Sequence, residues 1–173
     1  MSTARDYLVI WLRDAHAAEE QAHLMLKRTA RQIDGYMSFT AGLGSHGEKS
    51  AEQARRLEAA LEQLEESPSL LKTLTGQIAA LGQSLSGYVV DDEPVKAALA
   101  VAAFAHMEVA SYRLLVTAAE AAGEPAIASM CEALLAEETE FAQWVDEQVP
   151  EVARRYLSLT TAPVPTGGGL PTG

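Results

Sequence analysis

Four polar residues interrupt helical stripes that are otherwise apolar in this 173-residue chain: Glu19, His46, Glu108 and Glu138. Each stripe recurs every three or four positions, the spacing at which side chains share one face of a helix. Glu19 continues Leu8, Leu12 and Ala15, and His46 continues Phe39 and Leu43. Glu108 lies on the line Val101, Ala105, Tyr112, Leu115, and Glu138 falls between Leu134 and Phe141. All four interruptions come near mid-helix, so antiparallel packing would bring them to one level of a bundle. Carboxylates gathered in a core are costly unless they are protonated or meet a positive partner. A metal ion or a basic side chain is therefore expected among them. Carboxylate oxygen with imidazole nitrogen is a ligand set suited to iron or manganese between facing helices.

The elements that must position these residues are set out by the breakers Asp34-Gly35, Ser67-Pro68, Gly87, Glu93-Pro94, Gly123-Glu124-Pro125 and Pro150. Long helices are expected over about 3–33, 38–66 and 92–122, with a fourth from near Pro125 that breaks or kinks at Pro150 and continues into Tyr156. A shorter helix over 69–86, capped by Ser67 with Pro68 at its first position, would connect the second to the third. Gly42, Gly44 and Gly47 weaken the start of the second helix by about 1 kcal/mol each relative to Ala. No strand pattern or short internal repeat is visible. The reading is all-α: an antiparallel four-helix bundle with one crossover connection and a short extra helix between helices 2 and 3. Residues 1–157 form this domain, and 158–173, rich in Pro, Gly and Thr, form a flexible tail.

Composition narrows the function classes. Hydrophobic residues make up 48% and aromatics 6%, a globular mixture that favours helix. The net charge of −11, from 24 acidic and 13 basic residues, leaves no basic stripe for nucleic acid. The longest apolar run, around 97–105, falls short of the roughly 20 residues of a spanning helix, so no membrane partner is expected and the cytoplasm is the expected compartment. The lone Cys131 excludes an internal disulfide. His16 and His23 flank Glu19 off its stripe and read as solvated. His106 stands about 200° around the helix from Glu108, so the two do not face one site.

The segments WLRDAHAAEEQA (11–22), SHGEKSAEQARRLE (45–58), FAHMEVASYR (104–113) and LLAEETEFAQWV (134–145) together resemble the YciE/YciF-type ferritin-like proteins of bacteria. The resemblance spans about residues 5–156. It implies a ferritin-like bundle, a homodimer, an association with stress responses, and a carboxylate-bridged di-iron or di-manganese centre. Carried over position by position, the ligands are Glu19, His46, Glu108 and Glu138. The family's other acids are replaced here by Lys49, Ala105 and Ala142. With three acids lost and an ammonium gained, the site is expected to be a degenerate di-metal site that binds iron or manganese weakly or not at all, with Lys49 as the internal counter-charge. The alternatives are an active metal-dependent oxidoreductase acting on ferrous iron or peroxide, and a metal-free structural or partner-binding module.

Overall fold

The computed structural model describes residues 3–65 and 93–161. They form α1 (Ala4–Gln32), α2 (Met37–Glu65), α3 (Glu93–Ala122) and α4 (Pro125–Thr160). The expected short helix at 69–86 and most of the tail lie outside the described residues.

Local chemistry sets the helix ends. Thr3 caps α1 by accepting from the Asp6 amide at 3.2 Å, and the Asp6 carboxylate accepts from the Thr3 amide at 2.7 Å. These reciprocal bonds form a capping box, with the acid also placed against the helix dipole. Gly35, at φ 83°, turns the chain between α1 and α2. Gly123, at φ 73°, ends α3. There the Glu124 amide donates to the Ala119 carbonyl at 2.9 Å and the Gly123 amide to the Glu120 carbonyl at 3.1 Å, the paired bonds of a Schellman stop. Pro150 neither breaks nor ends α4; it is exposed and carried inside a helix that runs on to Thr160, past the expected start of the tail.

Two apolar clusters fill the bundle. One joins Leu8, Leu12, Leu57, Leu64, Leu115, Ile127 and Leu134; the other joins Leu26, Phe39, Leu43, Val101, Phe104, Phe141 and Val145. The first therefore contains the start of α1, the end of α2, the end of α3 and the start of α4. Hence α1 and α4 run one way, and α2 and α3 the other. The end of α2 and the start of α3 lie at opposite ends of the bundle. α1 packs on α2 and α3, and α4 on α3 and α2. α3 has the length and hydropathy of a membrane span. Its buried line, Ala98, Val101, Ala105, Glu108, Tyr112 and Leu115, is a bundle contact face that carries a carboxylate.

The glycines of α2 differ in role. A side chain on Gly42 would meet the Trp144 indole at 2.1 Å, whereas one on Gly44 would meet nothing within 4 Å. The Trp144 indole fills the space beside Gly42 and stacks on Phe39 and Phe141, with ring centroids 6.1 and 5.7 Å away. Gly44→Ala should therefore stabilise the protein by up to about 1 kcal/mol through helix propensity. Gly42→Ala should destabilise it by about 1–3 kcal/mol through overpacking, both changes being read by denaturant unfolding.

Candidate metal centre

The two apolar clusters are separated by a polar layer. Glu19, His46, Ser50, Gln53, Glu108 and Glu138 are all buried, with Tyr112 beside them. Each helix contributes where its apolar stripe passes mid-height, so the four interruptions read from the sequence do meet at one level.

One nitrogen of His46 and one oxygen each of Glu108 and Glu138 lie within 4.8 Å of one another. His46 Nε2 is 3.2 Å from Glu138 Oε2. That separation already suits two ligands of a single ion, since bonds of about 2.1 Å place neighbouring donor atoms roughly 3 Å apart. The imidazole is held by Phe141, whose ring lies parallel to it with centroids 3.5 Å apart and 6° between planes. Gln53 Nε2 donates to Glu138 Oε1 at 2.6 Å. Glu19 borders this group: Tyr112 donates its hydroxyl proton to Glu19 Oε1 at 2.6 Å.

The electrostatics are those of crowded, dry carboxylates. Burial, reinforced by the charge of Glu138, raises Glu19 to about 8. Burial, then the charges of Glu19 and Glu138, raises Glu108 well above the carboxylate range. Burial also lifts the Tyr112 phenol, with Glu19 adding to it. Glu19 Oε2, both oxygens of Glu108, Ser50 Oγ and Gln53 Oε1 make no hydrogen bond of good geometry, although the Ser50 hydroxyl adjoins Glu19 and Glu108 adjoins Glu138 closely enough for each pair to share a proton. Such orphaned acceptors are expensive in a core and fit a cation placed among them.

The expected counter-charge is elsewhere. The Lys49 side chain is 49% exposed and its ammonium lies 3.8 Å from Glu140, itself at the surface. The buried line of α2 steps from His46 to Ser50 to Gln53 and passes Lys49 by, leaving the ammonium in water where its hydration is kept. Lys49 is thus neither a lost ligand position nor an internal cation, and among the described residues no Lys or Arg is buried. Ala105 and Ala142 do face the core, at 0% and 3% exposure. Those two positions provide no ligand.

Carboxylate bundles that hold two ions take one Glu from each of two helices and a Glu-x-x-His pair from each of the others. Here α1 and α3 offer Glu19 and Glu108, while the comparable spacings on α2 and α4 read Ser50-x-x-Gln53 and Glu138-x-x-Phe141. With His46 added one turn earlier, the donor set fits one ion better than two. Ser50 and Gln53 join Tyr112, which the sequence placed on the stripe of Glu108, as members of the layer. The signal for them was present, since α2 carries three polar residues in succession on its buried face.

The remaining candidates lie apart. His16 stands 3.9 Å from Glu20, and His106 pairs with Asp146 at 3.0 Å on the exposed side of α3 and α4. His23 Nδ1 lies 2.7 Å from the Gly47 carbonyl, tying α1 to α2. Cys131 is buried in the apolar cluster, its thiol pushed up to about 12 by burial.

A groove of about 810 Å³ runs between α1 and α3, with Leu24, Met25, Ala97, Ala100 and Phe104 among its walls. Glu19, Glu108 and Tyr112 also line it, so the layer is approached from this side.

The chain is similar to known proteins over most of its length. The family model described as "Domain of unknown function (DUF892)" matches residues 3–158. A protein of Xanthomonas campestris pv. campestris is 31% identical, with a TM-score of 0.74, over 91% of this chain and 97% of its own. The Escherichia coli stress protein YciF is 23% identical, with a TM-score of 0.73, over 90% and 99%. YcfI from Rhodopseudomonas palustris is 26% identical, with a TM-score of 0.70, over 84% and 94%.

Proposed function

The chain belongs to the DUF892 family of YciE/YciF-type helical bundles, and from that premise we propose that its buried layer holds one divalent iron or manganese ion. His46, Glu108 and Glu138 are the ligands, and Glu19 is the carboxylate beside them. The observation that carries this reading is the set of unpaired oxygens on Glu19 and Glu108 in a layer where the described residues place no buried Lys or Arg. A buried acid with no donor to either oxygen, beside another with a donor to only one, calls for a cation or for protons. With Lys49 in solvent, this reading makes a metal ion the positive partner of the layer. Ala105 and Ala142 leave a second ion without carboxylates, which supports one ion and a weaker site than a full di-metal centre.

Bound iron or manganese would supply electron-transfer and Lewis-acid chemistry toward oxygen or peroxide. The chain's own residues do the positioning. Phe141 holds the imidazole plane, Tyr112 holds Glu19 by its hydroxyl, and the α1/α3 groove admits small molecules to that edge. Titration of metal-free protein with Co(II) tests the reading. Visible absorption bands that saturate at one equivalent and vanish in His46→Ala are expected; no bands at millimolar Co(II) would defeat it.

A second reading, a metal-free structural module, is favoured by one observation. Both oxygens of Glu138 already have partners, in Gln53 and His46, so the layer can close with Glu19 and Glu108 protonated. The same titration separates the two. On the family resemblance we further propose a cytoplasmic homodimer linked to stress responses; light scattering should give twice the 18.5 kDa chain mass, and a monomer would refute the dimer.

A further inference from the structure

We infer that Gln53 is a positioning residue of this layer: it fixes which oxygen of Glu138 faces the ion, and Glu137 and Arg56 hold Gln53 in turn. The consequence for metal rests on the reading above, whereas the premise rests on hydrogen-bond geometry alone. Gln53 is fully buried, and a buried amide must place both of its N–H protons. It donates to Glu138 Oε1 at 2.6 Å and to Glu137 Oε2 at 3.0 Å. Turning the amide over would set its oxygen against two carboxylates, so one orientation is enforced.

That orientation assigns work to each oxygen of Glu138. Oε1 is taken by Gln53, and Oε2 is left beside His46 Nε2, so a cation approaching the pair meets oxygen and nitrogen together. Glu137 does not wander into the layer, because Arg56 Nη2 lies 2.8 and 2.6 Å from its two oxygens. Arg56 and Glu137 are both about one-third exposed. A continuous chain of hydrogen bonds therefore runs from the α2/α4 surface through Glu137 and Gln53 to the buried carboxylate. The layer is closed and oriented on this side and approached through the groove on the opposite one. Outer partners of this kind orient a ligand without touching the ion, and their removal costs affinity rather than fold.

The test compares Gln53→Leu, Gln53→Met and Glu137→Gln with wild type in the full chain. It uses two readouts: Mn(II) affinity, and imidazole-nitrogen NMR of His46 in metal-free protein. Either apolar variant at 53 should weaken Mn(II) binding by about 10–100-fold and shift the His46 Nε2 resonance, as Glu138 loses its fixed orientation. Glu137→Gln, which keeps an acceptor for Gln53 but loses the Arg56 ion pair, should shift that resonance in the same direction by less. An unmoved His46 resonance in both apolar variants overturns the positioning role, as does wild-type Mn(II) affinity in them. Wild-type protein that takes up no Mn(II) refutes the metal reading alone, because the His46 resonance still decides whether Gln53 orients Glu138.

Discussion

Replacing Glu108 by Leu should weaken binding of Mn(II) or Fe(II) by more than about 100-fold, beyond the loss expected for an outer partner, and should at the same time stabilise the metal-free protein. The two effects have one cause. Glu108 is buried with no donor to either oxygen, and burial with the neighbouring Glu19 and Glu138 charges holds its carboxyl toward the protonated form. In metal-free protein it is a cost without a return. Leu fills similar volume without acceptors, so the gain should be about 1–3 kcal/mol, the cost of a buried unsatisfied polar group. A stabilising substitution that abolishes metal uptake is the signature of a residue kept for a site and not for the fold. Chemical denaturation and equilibrium metal titration read the two effects separately. Loss of stability in Glu108→Leu would contradict the account, because it would mean that the carboxylate has a favourable partner within the bundle.

The pH dependence of stability should reverse in sign when metal is added. Glu19 is raised from an ordinary carboxylate value of 4.5 to about 8, chiefly by burial and then by Glu138. Between these values the metal-free native state binds the proton more tightly than the unfolded chain, so unfolding releases it. Stability is therefore fully present below about 4.5 and declines as pH rises through about 8. The integrated loss is at most about 5 kcal/mol, from a shift of roughly 3.5 units. An ion in the layer needs ionised carboxylates, so metal-loaded protein should gain stability relative to metal-free protein as pH rises. Glu19→Gln should remove this residue's share of the decline, leaving that of Glu108, and make that variant the more stable one at pH 8. Thermal melts from pH 5 to 8, with and without Mn(II), check all three expectations. A metal-free profile that rises over this range would show that Glu19 is ionised in the fold.

The bundle was legible because helical periodicity reports directly on burial. All four mid-stripe interruptions are core positions, and the breakers at Gly35 and Gly123 are the positive-φ turns. The orientation of individual side chains was less legible. Lys49 is three residues from His46, close enough on a helical wheel to be placed on its face, yet the buried line bends by a fraction of a turn and leaves it outside. For a long amphipathic side chain, that small angle separates an internal cation from a surface one. Gly42 reads in sequence as a weak point in a helix, and only the indole of Trp144, more than a hundred residues away, shows why a side chain is excluded there. Gln53 had the same limitation: its two carboxylate partners come from α4, and no spacing within α2 could reveal them.

The central claim is that the layer takes a cation, and one rather than two. It is tested most directly by loading purified protein anaerobically with Mn(II) or Fe(II), removing unbound metal by desalting, and measuring metal per chain by elemental analysis. One ion per chain is expected in wild type, and none in Glu108→Leu. Two ions per chain would contradict the role given to Ala105 and Ala142. No metal in the wild-type protein would contradict the claim itself and leave the layer as a protonated structural network.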